Sequence, residues 1–224
     1  MKFINLVKNE HMKLYQQRSS ILSLLIVYAC TALAVIGQRW GNSWPFSTYW
    51  DSVSYALQIF TQLFMLISII ISIHMISREY SAGTIKLLLI RPLSRSSILL
   101  SKYITILLYA LLGILGSIPL TMTLAGIISG FEGWNQMEGL PVMIKLFVMK
   151  LFIFPFYIAL AFMVTILTRH QGLSLLITIL FFSITVSFVP VIPGMSTSVT
   201  FLSWSLLNAA FLIIGWRAFQ RQEV

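Results

Sequence analysis

Apolar residues gather in six long blocks, Ser20 to Ile36, Val53 to Ile76, Tyr103 to Ile128, Leu146 to Leu167, Leu173 to Val189 and Thr200 to Trp216, with polar residues collected between them. A helix needs about 20 apolar residues to cross roughly 30 Å of hydrocarbon. The pattern therefore predicts an all-α membrane protein with six transmembrane helices between residues 20 and 216. The preceding segment, Lys2 to Gln17, sets Phe3, Leu6, Val7 and Leu14 near one side and Lys2, Lys8, Asn9 and Lys13 around the other. That arrangement, within residues 1–18, suits an amphipathic helix lying on a membrane surface, against the alternative of a solvated leader held only by charge. The basic leader and Ala32-Leu33-Ala34 also imitate a signal peptide, although the leader is long for one.

Interruptions within the blocks predict where helices bend or meet. Pro119 and Pro155 each free a backbone carbonyl, and Gly113 and Gly116 offer a close approach by size. Pro190-Val191-Ile192-Pro193-Gly194 breaks a region that stays mostly apolar; a re-entrant turn and a plain Pro-rich loop both fit it.

Composition sharpens this picture. The 224 residues are 58% hydrophobic and 9% charged with a mean hydropathy of +0.91, whereas a soluble domain carries about a quarter charged residues. A water-soluble enzyme and a sizeable extramembrane domain are both excluded. There are 15 Lys+Arg against 6 Asp+Glu and a pI near 9.9, but in a membrane protein basic loops record orientation rather than nucleic-acid binding. With the N-terminus inside, Arg39, Lys145 and Lys150 are the only three basic residues of the 15 left outside. Both termini are thus expected in the cytoplasm. Trp40, Trp44, Trp50 and Trp134 then fall in or beside outer loops, where indole rings favour the interface. The single Cys30 permits no internal disulfide.

Catalytic signatures are missing. Gly-x-x-x-x-Gly-Lys-Ser/Thr, His-Glu-x-x-His and Gly-x-Ser-x-Gly do not occur. His11, His74 and His170 have no spacing that builds a metal site with the few carboxylates. No catalytic residue and no metal ligand is assigned. An intramembrane hydrolase assembled in three dimensions and a non-transporting membrane scaffold remain the alternative classes. Every carboxylate falls at a span end or outside, which weighs against an ion-coupled transporter.

The longest inner loop, residues 77–102, holds a short helix candidate from Ser81 to Ile90. Ser81 can cap its start, Glu79 and Thr84 lie near its positive end, and Arg91-Pro92 terminates it. It is too brief to span, and Ile85, Leu88 and Leu89 near one side require burial against a partner or in headgroups. By itself Glu79 also reads as a cap, or as a partner of Arg78 or Lys86.

Glu79-Tyr80-Ser81-Ala82-Gly83-Thr84-Ile85-Lys86 followed by Leu89-Ile90-Arg91-Pro92-Leu93-Ser94-Arg95 resembles the signature between the second and third spans of type-2 ATP-binding cassette (ABC) exporter permeases. The architecture of the whole chain, 1–224 as one permease domain, is similar to that family as well. The resemblance implies a multi-pass subunit of the bacterial plasma membrane that pairs with an identical or different permease subunit and rests on two ABC ATPase subunits. ATP and magnesium are then expected on the ATPase, with no cofactor on this chain and no nucleic acid as partner. It implies that Glu79, Gly83, Thr84, Leu87 and Leu88 contact the ATPase through a coupling helix, that Arg91 and Pro92 fix its exit, and that Arg169, His170 and Gln171 in the second inner loop make a lesser contact. For that second loop a positive-inside anchor with a tight turn at Gly172 fits equally.

At about 100° per residue, Gln58, Thr61, Gln62, Met65, Ser68 and Ser72 share one arc of the second span, and Ser174, Thr178, Phe181 and Thr185 share one of the fifth. In the family these spans line the pathway; equally, such hydroxyls bond back to the preceding turn or pack helix interfaces. A weakly polar route without fixed charge suits an amphipathic or hydrophobic cargo, such as a peptide, an antimicrobial or a lipid-like molecule.

Overall fold

The computed structural model describes residues 3–40, 49–81, 95–131, 139–188 and 197–220. Seven α-helices carry nearly all of them: α1 (Phe3–Gln16), α2 (Arg18–Trp40), α3 (Tyr49–Ser81), α4 (Arg95–Ser129), α5 (Leu140–Thr168), α6 (Gln171–Phe188) and α7 (Thr197–Gln220). Four are long and apolar enough to cross a bilayer: α2 over Arg18–Gly37, α3 over Tyr49–Ser81, α4 over Ser97–Ile128 and α5 over Met143–Thr168. The described apolar stretches of α6 and α7, Gln171–Ile184 and Leu206–Phe219, are shorter. The protein is thus an all-α, multi-pass membrane protein. The Pro-rich segment 190–194 and Gly83 to Pro92 lie outside the described residues.

Helices α4 and α5 run on through Pro119 and Pro155. At ~1.5 Å per residue, the 33 residues of α3 and the 35 of α4 extend about 50 Å. Both therefore reach well beyond a ~30 Å hydrocarbon layer.

The chain divides into two compact units, and α3, α4 and α5 contribute residues to each. One unit comprises 17–65 and 110–151. Its core packs Tyr49, Trp50, Val53 and Leu57 of α3 with Ala125 of α4 and Met143 of α5. The Tyr49 hydroxyl donates to the Met122 carbonyl at 3.0 Å. Trp50, in the first turn of α3, is a core residue at 6% exposure, seated where a side chain at Gly139 would stand. The α2 ring of Tyr28 stacks on Phe60 at 5.0 Å, and Phe60 on Phe64 at 5.5 Å. Phe64 occupies the space a Cβ on Gly113 would need, and the Tyr28 hydroxyl lies 3.2 Å from the corresponding position at Gly116. The close approach expected at both glycines is made by aromatic rings. Gly130, at φ +78°, ends α4 in the left-handed conformation that glycine adopts without strain.

The other unit comprises 1–16, 66–109 and 152–224. An aromatic cluster holds α5 to its neighbours: Phe156 approaches Phe181 of α6 and Phe211 of α7, and Tyr157 meets Phe182 edge-on at 5.1 Å. The Tyr103 hydroxyl of α4 donates to the Pro155 carbonyl at 3.2 Å and reaches Asn208 of α7 at 3.4 Å. Gly215 lets α7 come within 3.3 Å of the Met163 backbone, measured from where its Cβ would be. Helix α1 belongs to this unit, with Leu14 buried and Phe3, Ile4 and Met12 exposed.

Candidate functional site

The ends of the long inner loop are more helical than the sequence suggests. Ser77 to Ser81 complete α3, and α4 begins at Arg95. Ser81, expected to open a new helix, closes α3, and its hydroxyl donates to the Arg78 carbonyl at 3.1 Å. Residues 82–94, with Gly83, Thr84, Leu87, Leu88, Arg91 and Pro92, lie outside the described residues.

Of the residues assigned to this site, Glu79 is described. Its Oε1 accepts from Lys102 Nζ at 2.5 Å, a partner the sequence did not suggest. Lys102 also donates to Glu10 Oε2 at 2.9 Å, and Lys13 donates to Glu10 Oε1 at 2.6 Å. The Lys102 side chain is 5% exposed, those of Glu10 and Glu79 12% and 19%. A buried ammonium survives only when paired, and two carboxylates from two other helices pair it. Three elements are thereby tied at one point: the surface-helix candidate α1, the end of α3 and the start of α4. Burial pushes the Glu10 carboxyl up, but the Lys102 charge and the hydrogen bonds from Lys13 and Lys102 outweigh it, and its pKa falls below the ordinary 4.5. Glu10 and Lys102 were absent from the expected site. The available signal was a lone carboxylate on the otherwise basic N-terminal helix, at the i+3 position from the inward-facing Val7.

The loop expected to be the second inner one is only Arg169 and His170, between α5 and α6. Arg169, not Gly172, takes the left-handed conformation at φ 52°, and its N–H donates to the Thr165 carbonyl at 2.9 Å. Gly172 lies in the first turn of α6. The Thr168 and Ser174 hydroxyls meet at 2.7 Å across the turn, which leaves Arg169, His170 and Gln171 exposed. Gln171 Nε2 comes within 3.5 Å of His74 Nδ1 on α3. The second loop therefore sits at the same end of this unit as the root of the first.

Of the weakly polar arcs, Thr61, Met65, Ser68 and Ser72 are buried within the chain, Gln62 is half-buried and Gln58 exposed. Thr61 donates to the Gln58 carbonyl at 3.0 Å and Ser72 to that of Ser68 at 2.5 Å. On α6, Ser174 and Thr178 are buried, with Thr178 bonded to the Ser174 carbonyl at 2.8 Å, while Phe181 is exposed beside Ile177, Leu180 and Ile184. The Thr185 side chain lies outside the described residues.

The described residues are those of a helical, multi-pass membrane protein in which the roots of the 82–94 segment are ion-paired. A family model described as "ABC-2 family transporter protein" matches residues 6–186, and the chain belongs to that family. The chain is also similar to the uncharacterized protein YhcI of Bacillus subtilis (strain 168), 52% identical over 65 residues. That match spans 29% of this chain and only 20% of the relative's length.

Proposed function

We propose that the chain is the membrane subunit of an ATP-driven exporter, with six spans, both termini in the cytoplasm, and residues 82–94 carrying the coupling helix. Six spans are supported by α6 and α7, of 18 and 24 residues, which at ~1.5 Å per residue measure about 27 and 36 Å. The observation that carries coupling is the ion-paired root of the loop. Helices α3 and α4 project past the bilayer, and Lys102 fastens Glu79 where α3 leaves it. A push on the loop is then delivered to stiff helices rather than dissipated in a slack linker. Two ABC ATPase subunits, holding ATP and magnesium, would contact Gly83, Thr84, Leu87 and Leu88, with Glu79 at the base, Arg91-Pro92 at the exit, and Arg169, His170 and Gln171 as the lesser contact.

A second permease subunit completes the pathway in this reading. The exposed members of the polar arcs, Gln58 and Phe181, would face it, and the buried hydroxyls would pack the helices behind. The cargo is an amphipathic or hydrophobic compound. The test is biochemical: the purified chain alone turns over no ATP, and it captures a separately expressed ABC ATPase whose hydrolysis rate changes on binding. ATP turnover by the chain alone, or failure to bind any ATPase encoded beside it, overturns the reading.

A further inference from the structure

Two clefts in the unit that contains α1 share one wall. The first, about 380 Å³, lies between α1 and α4; Phe3, Ile4 and Val7 face Ile104 and Leu108 across it, and Lys8 and His11 stand at its rim. The second, about 470 Å³, lies among α4, α5 and α7 and is apolar along nearly all its lining, including Leu100, Met163, Leu212 and Trp216. Ile104 lines both. Tyr103 is the one hydroxyl-bearing residue of the second cleft, and its OH is already engaged by Pro155 and Asn208.

Lys8 is the one residue with a formal charge among those lining the first cleft. Lys8 is exposed and forms no ion pair among the described residues. Glu10, the only acid of α1, is committed to Lys102 and Lys13. The His11 ring is half-buried, with the Tyr15 ring 4.7 Å away. Clefts this apolar do not retain water, yet each is of ligand size. A helix with its side chains is about 10–12 Å across, too broad to enter a 380 Å³ space beside α1.

We propose that these clefts hold an anionic phospholipid drawn from the leaflet on which α1 lies. Its phosphate sits against Lys8 and His11, and its acyl chains lie in the grooves on either side of Ile104. Lipid chains are the apolar matter the bilayer supplies, and a net negative headgroup complements the Lys8 ammonium, which has no carboxylate beside it among the described lining residues. The proposal rests on α1 being a surface helix.

The probe is phosphatidylglycerol against phosphatidylcholine, with the full chain in nanodiscs of each, released for native mass spectrometry. The wild-type chain retains one phosphatidylglycerol at least fivefold more often than phosphatidylcholine. Lys8→Glu with His11→Gln abolishes that preference, whereas the same charge reversal at exposed Lys145 leaves it. Met163→Trp, which fills the second cleft, reduces retention of both lipids. Equal retention of the two lipids by the wild-type chain, or equal effects of Lys8→Glu and Lys145→Glu, overturns the proposal. So does a disulfide between two copies through Leu100→Cys in a Cys30→Ser background, which would give the cleft to a second chain. Quenching of a fluorophore at Met12 by brominated lipid reports the surface position of α1 separately. Failure there is distinguishable from a lost headgroup preference.

Discussion

Lys102 reaches back across the loop it follows to Glu79, 23 positions earlier, with Nζ 2.5 Å from Oε1. The two residues belong to the helices that lead into and out of 82–94, so the pair fixes the separation of the loop's roots. Because Glu10 shares the same ammonium at 2.9 Å, α1 is held to that junction as well. The Thr105 hydroxyl, 3.5 Å from the Val7 carbonyl, adds a weaker tie between α1 and α4 one turn further along.

Lys102→Met tests this junction. It takes the shared cation from Glu10 and Glu79, leaving Lys13 on Glu10, and removing one member of a buried pair costs about 3–5 kcal/mol. Both carboxylates keep some contact with solvent, so about 2–3 kcal/mol is expected here. In a chain of this size that lowers the melting temperature by roughly 4–12 °C. Lys102→Arg should recover most of the loss. An unchanged melting temperature in Lys102→Met would show that the junction holds nothing.

The same site sets a pH dependence. The Glu10 carboxyl titrates below its ordinary 4.5 in the folded chain, because Lys102 and Lys13 outweigh its burial. The unfolded chain therefore binds the proton first as pH falls. The contribution of Glu10 is complete above about pH 4.5 and is lost as pH drops through the lowered folded value. The stability gap between wild type and Glu10→Gln should be constant from about pH 7 to 5 and narrow progressively as pH falls below about 4.5. A gap that widened on acidification would reverse the sign and refute the pairing.

Much of this was readable from the chain. Long apolar blocks predict α2 to α5 because no other use of 20 such residues satisfies the backbone in lipid. Gly113 and Gly116 announce close approach by size alone. Lys102 was read only as one more inner charge, since nothing local to a cation at a span start reveals a carboxylate 92 positions away. Periodicity placed Thr61, Ser68 and Ser72 on one arc without saying whether that arc meets another helix or a pathway. Trp50 illustrates the same gap: an indole beside a loop does not reveal its neighbours, and Gly139 provides a seat that only three-dimensional packing discloses. The two-residue turn at Arg169 was hidden because a non-glycine residue takes the left-handed conformation, where Gly172 was the natural candidate.

Gly113 carries a packing prediction. The Phe64 ring fills the space of its missing side chain, and that ring is fully buried and stacked on Phe60 at 5.5 Å, so it has nowhere to retreat. Gly113→Val should force α3 and α4 apart locally at a cost of about 1–3 kcal/mol. Phe64→Ala in the same chain should restore part of the loss by vacating the space. Thermal unfolding of the single and double variants measures the coupling; strict additivity would mean that the two positions do not compete.

Orientation has a direct readout. Twelve of the fifteen basic residues fall on one side if the N-terminus is inside. In a Cys30→Ser background, Ser43→Cys and Glu138→Cys should react with an impermeant maleimide on intact cells, and Ser96→Cys only after lysis. Labelling of Ser96→Cys from outside would invert the chain and remove the loop from any cytoplasmic ATPase.

Coupling and stability separate at the loop because its root and its body differ in what they touch. Glu79→Ala removes a carboxylate from Lys102, and a hydrogen bond to a charged group contributes about 1.5–3 kcal/mol, so this variant should melt earlier and transport less. Gly83→Trp adds bulk where the loop body would meet an ATPase and leaves the Lys102 junction intact. Its membrane abundance and melting temperature should match wild type, while ATPase binding and transport fall by roughly tenfold or more, the consequence of losing about 2 kcal/mol at a desolvated contact. A loop that touched only water would tolerate Gly83→Trp within about 0.5 kcal/mol. Melting temperature, ATPase capture and transport measured on both variants resolve the two effects. Unchanged transport in Gly83→Trp at normal abundance would remove residues 82–94 from the coupling path, whatever Glu79→Ala did.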